Sequence, residues 1–501
     1  MTTPDMNMDS VDPHLAQETI ADDVKIVSAP VAAGAEEGQE VTVDLFANYN
    51  MQMEAHDWHN RLRGAILGLL SAVPKVGAAV SKLIGLFWPA NKVDIWEAIN
   101  WEQYVRNIVK QEIFEFELQQ HESDIEALQT TIRRYDTAAP NERGNFLSIW
   151  ISQADTLCIR LRNSTNDFHL LLHIVTVAVL HVAALHERLT FGEELYGSSN
   201  TANWTQDLVD VFKMYTSDLI PNLFKKWKQW RVTQIEIKKW TQKSILMINS
   251  YATVEDKVSG EIFNFRAPNL YSTKQHVFSE VCEDHKTRMM NEAIADMASC
   301  LAPTFAFHKL LPEDTQTQSS PYDKELFGRV FRGPYSQDLL QPSFNIINRT
   351  ISLRMHPTRF DQTTRDKILE VIIRAGYHVD AIQFWYDHVN PNAMTAGTMA
   401  GNSVGGNRYQ VDVRDRPIQD LRMEFAQDVL ASLQLHFEDG TSTLKFGNPS
   451  NLNWATSIAT CTVPFGYRLS SWAFREDASS YSATAISVLR FQFTPEDIPS
   501  P

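Results

Sequence analysis

Cysteine is scarce in this 501-residue chain. The four present, Cys158, Cys282, Cys300 and Cys461, are scattered, with no pair at metal-ligand spacing. That excludes a zinc ribbon and argues against a disulfide framework. Basic charge is also short, with 45 Lys and Arg against 61 Asp and Glu and a net charge of −16. A nucleic-acid partner is disfavoured on that ground. The start lacks the basic and apolar regions of a secretory signal, so the expectation is a soluble protein stored in its cell or released by lysis or ingestion. There is no phosphate loop and no Gly-x-Ser-x-Gly elbow, and no carboxylates pair for acid–base work. Neither a catalytic constellation nor a cofactor site is read, and the expectation is that the chain is not an enzyme.

What the chain has instead is apolar mass, 44% hydrophobic residues with 26 Phe and 12 Trp. This amount of apolar side chain fits two or three folded domains. The most apolar helix-length stretch is Phe168 to Arg188, closed by Thr190-Phe191-Gly192. Between Leu170 and Leu185 only His173, Thr176 and His181 interrupt the hydrophobic residues. A helix apolar on every face is buried in protein or in a membrane. At about 24 Å the run is slightly short for a bilayer span, and two histidines argue against a constitutive one. The preferred reading is a central core helix, soluble as stored and membrane-competent once unpacked.

The residues before it supply a partner. Pro140 breaks the chain, and Asn141 to Arg162 reads as an amphipathic helix, with Phe146, Ile149, Trp150 and Leu157 set against Gln153, Asp155, Arg160 and Arg162. The loop Asn163 to Asn166 turns it into the apolar helix. An amphipathic helix hairpinned to an apolar one suits a pore, since one meets lipid while the other lines the lumen. Further back, Val105, Ile108, Val109, Ile113 and Phe116 repeat at helical spacing towards Tyr135. Gly64 to Pro89 reads as two short apolar helices split by Pro74. Up to Glu54 the chain holds eleven acids against the single base Lys25, the composition of a mobile segment or a removable propeptide. His169 and His173 lie one turn apart, but no Glu or Cys joins them, so core histidines are the default. Charging His173 and His181 in an apolar bundle would cost several kcal/mol, which leaves a pH trigger open.

These stretches together resemble the helical amino-terminal domain of three-domain Cry insecticidal toxins. Leu180-His181-Val182 with Leu185, Glu187 and Phe191-Gly192 is similar to that family's buried fifth helix. The Val-Pro within Gly64–Pro89, then Phe87-Trp88-Pro89 and Asp94-Ile95-Trp96, is similar to its first two helices, with Ile95 where the family has proline. Val105-Arg-Asn-Ile-Val-Lys-Gln-Glu-Ile113 matches its third. The resemblance implies a membrane-inserting hairpin that uses Asp155, Leu170, Leu171, Leu172, Ile174, Val175, Val177, Leu180, His181 and Leu185. It also implies an activating protease, a target-cell membrane and self-oligomerisation on insertion.

Thr201 to about Tyr251 reads as one or two more helices, with a basic-aromatic cluster at Lys225 to Arg231. Ser272 to Leu301 reads as a further helix beyond the seven the resemblance implies. After a linker near Pro312 the pattern turns to short alternating strands, as in Ile351 to Met355, Leu369 to Arg374, Val411-Asp-Val and Leu433 to Phe437. Gly376-Tyr-His-Val-Asp-Ala-Ile-Gln-Phe-Trp-Tyr-Asp387, Gly405-Gly406 and Leu430 to Gly440 resemble the β-prism of jacalin-like lectins. In that family a Gly-x-x-x-Asp element holds a sugar hydroxyl. Here Ser480 and Thr484 stand at its Gly and Asp, so monosaccharide binding at the usual place is in doubt. The candidate receptor or glycan residues are Gly376, Asn392, Gly405, Gly406, Tyr481 and Thr484, with Asn390 to Arg408 as a binding loop.

The expected architecture is α plus all-β and multidomain, an amino-terminal helical bundle around a central apolar helix and a carboxy-terminal β-prism. The boundaries are an acidic segment over 1–56, the bundle over 57–311, a linker over 312–326 and the prism over 327–501, with no room for a third, sandwich-type domain after Phe493. Two functions follow: a pore-forming toxin that binds a glycan or protein receptor through the prism, or a non-lytic lectin-like binding protein.

Overall fold

The structure is a computed structural model. It describes residues 124, 127–128, 130–132, 134–135, 138–164, 167–243, 248–268, 272–312, 328–340, 343–345, 359–360, 367–388, 393–426, 429–448, 457–464, 466–477 and 485–495. The acidic segment 1–56, the paired helices over 64–89, most of the helix leading to Tyr135, the strand Ile351 to Met355 and nearly all of the 312–326 linker lie outside these residues.

Helix α1, Pro140–Arg162, begins on a proline, whose missing N–H costs nothing in a first turn. Glu142 in that turn and Arg160 and Arg162 in the last complement the helix dipole. A 3-10 turn, Asp167–Leu170, leads into α2, Leu171–Tyr196. Phe191-Gly192 does not close this helix as the sequence reading expected. The helix runs on and stops at Gly197, whose φ of 69° suits a left-handed cap, its N–H donating to Glu193 O at 3.0 Å. Gly192 serves packing instead, because a Cβ there would lie 2.4 Å from the Trp204 ring. Helix α3, Thr201–Lys213, passes through a π-helical turn, Met214–Leu219, into α4, Ile220–Thr233. The central position of α2 is borne out. It packs on α1, α3, α4 and the 3-10 segment Ala302–Leu310, and Leu170 through Leu185 is buried at nearly every position.

The helical reading of Thr201 to Tyr251 fails after Thr233. Strands β1 (Ile235–Lys243), β2 (Ile248–Asp256) and β3 (Ile262–Pro268) form an antiparallel sheet inside the region expected to be helical bundle. Alternation explains it. Ile235, Ala252, Val254, Phe263 and Phe265 face one way and bury against Phe278, Val281, Cys282 and Met289 of helix α5, Ser272–Leu301. The expected bounds of α5 are met.

Helix α5 also joins the two halves. It packs on β4, Val330–Tyr335, where Arg332 pairs with Glu292 and with Asp296 at 2.7 Å. Tyr335 Oη donates to Glu292 at 2.6 Å, and Arg475 holds Asp284 at 2.7 Å. The β half has three further antiparallel sheets. One runs β10 (Ala400–Gly401), β8 (Val379–Asp387), β7 (Ile368–Ala375), β11 (Asn407–Asp412), with β9 (Met394–Ala396) on β8. The second runs β13 (Val429–Phe437), β12 (Ile418–Ala426), β14 (Ser457–Thr462). The third runs β4, β16 (Ala485–Pro495), β15 (Tyr467–Asp477), β6 (Arg359–Phe360), while β5 (Ser343–Asn345) extends the sheet of β1 to β3. Val371, Ile373, Phe384, Leu433, Trp472 and Phe491 from all three meet in one core, which makes a β-prism.

Gly192→Ala places a methyl group against the Trp204 ring. It is expected to cost about 1–3 kcal/mol, read as a lower denaturant midpoint, whereas Gly197→Asn, at the cap with open space around it, is expected to change stability by less.

Candidate functional site

Two places gather the residues singled out above. The first is the α1–α2 hairpin. Leu170, Leu171, Ile174, Val175, Val177, Leu180, His181 and Leu185 are all buried, so none meets water in this state. The side chain of Leu172 lies outside the described set. Among the described residues one helix is long and apolar enough to cross a membrane, His173–Tyr196, and most of it is enclosed by protein. Asp155, on α1, keeps its side chain 57% exposed yet brings Oδ1 within 3.5 Å of His181 Nε2.

That contact is not an ion pair at neutral pH. Burial, helped by the Arg188 charge, lowers the His181 pKa to about 4, so the ring is neutral. Its Nδ1 lies 3.2 Å from Tyr215 Oη, and Tyr215, fully buried, sits in the π-helical turn. Burial also raises the Asp155 carboxyl and the Cys158 thiol. One turn and a half beyond His181, Glu187 is fully buried and accepts from Tyr135 Oη at 2.8 Å. Its other carboxylate oxygen has no hydrogen-bond partner among the described residues. Burial raises its pKa from 4.5 to about 7, against the opposing pull of the Tyr135 hydrogen bond and of Arg143. In the sequence Glu187 is one residue of the Leu180 to Gly192 motif and nothing marks it as a site, since its partner Tyr135 arrives from 52 residues earlier.

The second place is one end of the prism. Gly376 opens the β7–β8 turn, and Gly405-Gly406 precede β11. The fold brings all three around the Asp380 carboxylate. A Cβ at Gly405 would lie 2.6 Å from Oδ1, one at Gly406 2.5 Å from Oδ2, and one at Gly376 3.8 Å from Oδ2. His378 Nε2 stands 3.3 Å from Oδ1. Asp380 and His378 were within the quoted motif but not among the predicted site residues, and the glycines give the reason they matter. The glycines leave the space that the carboxylate fills. Asn392, Tyr481 and Thr484 lie outside the described residues.

No protein-family model matches the chain. A stretch of 151 residues is 27% identical to the pesticidal crystal protein Cry19Ba of Bacillus thuringiensis subsp. higo. The sequence is similar to that of a Cry-type crystal protein. The matched stretch amounts to 27% of this chain and spans 22% of the length of that Cry protein. Among solved structures, a Cry1Da tryptic core variant from Bacillus thuringiensis is 14% identical at a TM-score of 0.49, over 87% of this chain and 74% of that one. The crystal protein Cry7Ca1 from the same species is 12% identical at a TM-score of 0.49, over 89% and 75%. AcmJRL, a mannose-binding jacalin-related lectin from Ananas comosus, is 13% identical at a TM-score of 0.25, over 33% of this chain and 98% of the lectin.

The buried acid and base of this bundle set opposite pH dependences. A carboxyl whose pKa the fold raises contributes stability that is complete below 4.5 and lost as pH rises towards about 7. A histidine whose pKa the fold lowers contributes stability that is complete above 6.5 and lost as pH falls towards about 4. Glu187→Gln is therefore expected to abolish a loss on the order of 3 kcal/mol between pH 5 and pH 8, measured by urea unfolding at both pH values. An unchanged pH slope in the variant would show that Glu187 ionises freely in the folded state.

Proposed function

We propose that the chain is a pore-forming toxin of the Cry type, insecticidal or otherwise defensive. In this reading the prism binds a glycan or protein receptor on a target cell. A protease removes the acidic segment 1–56, and the α1–α2 hairpin of several copies enters the membrane together. The observation that carries it is α2 itself, long and apolar enough to span a bilayer yet mostly enclosed by protein, beside a partner with a polar face. Asp155 on α1 would then face the lumen while Leu171 to Leu185 face lipid, the division of labour that a helical pore requires.

A second reading, a non-lytic carbohydrate- or receptor-binding protein, is favoured by the meeting of Gly376, Gly405 and Gly406 at one end of the prism. Dye release from liposomes separates the two. The pore reading expects leakage after limited trypsin treatment and little before it. Leakage that never exceeds the protein-free control, at any pH between 5 and 10 and with or without protease, would leave the binding protein as the function.

A further inference from the structure

At one seam of the prism β11 is the last strand of its sheet and lies beside the segment Thr441–Phe446. Between them is a cavity of about 490 Å³, within the size range of ligand-binding clefts. Tyr409 and the buried Phe446 form its floor, their ring centroids 5.1 Å apart. Leu444, 61% exposed, and Thr443 stand on one rim, Asp412 and Asp415 on the other. The cavity is distinct from the Asp380 cluster, since none of its lining residues belongs to that cluster and its floor residue Tyr409 is roughly 10 Å along β11 from Gly406 at about 3.3 Å per residue.

One wall is the edge of β11, and the other is an extended loop segment bridged to β13 at Ser442 and Phe446. The Val413 N–H donates to Leu369 O at 3.0 Å, continuing the register that pairs Val411 with Val371 and Tyr409 with Ile373. In an antiparallel ladder, hydrogen-bonded residues alternate with residues whose N–H and C=O point away from the partner strand. Arg408, Gln410 and Asp412 therefore turn their backbone groups outward from β7. On the opposite wall, Phe446 and Leu433 exchange backbone bonds of 2.8 and 3.0 Å, and the Thr443 N–H donates to Leu435 O. Among the described residues that segment is thus paired with β13 on its far side.

The charge at the mouth has one sign to spare. Arg416 is held by Asp439 at 3.3 Å and lies 4.1 Å over the Phe437 ring, and Lys445 is held by Glu424 at 2.6 Å. Arg414 stands 3.8 Å from Asp412 and also reaches the Met394 sulfur. Asp415, exposed on the rim, is in no ion pair among the described residues.

We propose that this groove takes an extended peptide segment of a protein partner, which adds a strand to β11. The segment sets an apolar side chain over Tyr409 and Leu444 and directs a lysine or arginine to Asp415, beside the Asp412–Arg414 pair. Main-chain bonds supply affinity in such an addition, and pockets for alternate side chains supply selectivity. The inference rests on reading the prism as the recognition half of the molecule, and it names the partner class that this second face suits.

The test is fluorescence anisotropy of a labelled octapeptide of alternating Val and Lys, titrated with the full chain. Saturable binding is expected, about tenfold weaker with Asp415→Asn. It should be lost with Gln410→Pro, which removes an outward N–H and leaves the backbone ladder to β7 in place, although the Gln410 side-chain bond to Glu370 at 2.7 Å goes with it. If Gln410→Pro does not fold, the same octapeptide methylated on its backbone nitrogens replaces it, because that probe keeps charge and side chains and lacks the donors. No saturable binding, equal binding of the methylated probe, or equal binding by the Asn variant overturns the proposal. So does occupation of the groove by mannotriose or by a second copy of the chain, blocked by the same substitutions. Dye release without peptide binding would remove this inference and leave the pore reading standing, and peptide binding without dye release would do the reverse.

Discussion

A helix that is apolar on every face has to be enclosed, and the helical half of this protein is arranged to enclose one. Each Leu, Ile or Val buried along α2 contributes about 1.5–3 kcal/mol relative to exposure. The gain is collected only if neighbours cover the whole circumference. Helices α1, α3 and α4 and the 3-10 segment Ala302–Leu310 do so. The polar groups caught within then have to be neutral or partnered, which is why His181 is uncharged against Tyr215 and Glu187 is held by Tyr135. The same enclosure is what a membrane could replace, since lipid offers an apolar helix the surroundings that the bundle gives it.

Helix α5 ties this bundle to the prism by a different chemistry. Its contacts with β4 and β15 are charged: Arg332 with Glu292 and Asp296, and Arg475 with Asp284. Breaking a largely buried pair by removing one partner leaves a charge uncompensated and is strongly destabilising. The two halves are thus joined by side chains of fixed geometry, and Asn291 adds a 2.6 Å bond to the Gly333 carbonyl. A rearrangement that frees α2 can leave this joint intact, because α5 makes most of its contacts with β4 and with the sheet of β1 to β3 rather than with α2.

Much of this was legible in the sequence, and the parts that were not share a cause. Helices α1 and α2 announce themselves by an amphipathic pattern beside an unbroken apolar run. Helix α5 does so by its spacing of Val277, Val281, Met289 and Met297, β7, β11 and β13 by alternation, and β8 by the Gly376 to Asp387 motif. The sheet of β1 to β3 was missed because the aromatic spacing through Trp227 and Trp230 reads as helix, and Ile235-Glu-Ile-Lys is too short an alternation to overturn it. Gly192 was read as a stop because glycine often ends helices, yet its role is the contact with Trp204, which only the fold brings near. Asp380 and Glu187 follow the same rule, each a carboxylate whose surroundings come from distant segments.

Hydrogen exchange followed peptide by peptide tests the enclosure of α2 most directly. In water, amides of residues 174–185 are expected to exchange more slowly than those of α3, which keeps one side in solvent. On liposomes after protease treatment they are expected to stay protected while the Ala302–Leu310 segment that covers them becomes fast. Exchange of 174–185 in water at the rate of α3 would contradict the account, because the helix on which the rest is built would then not be enclosed.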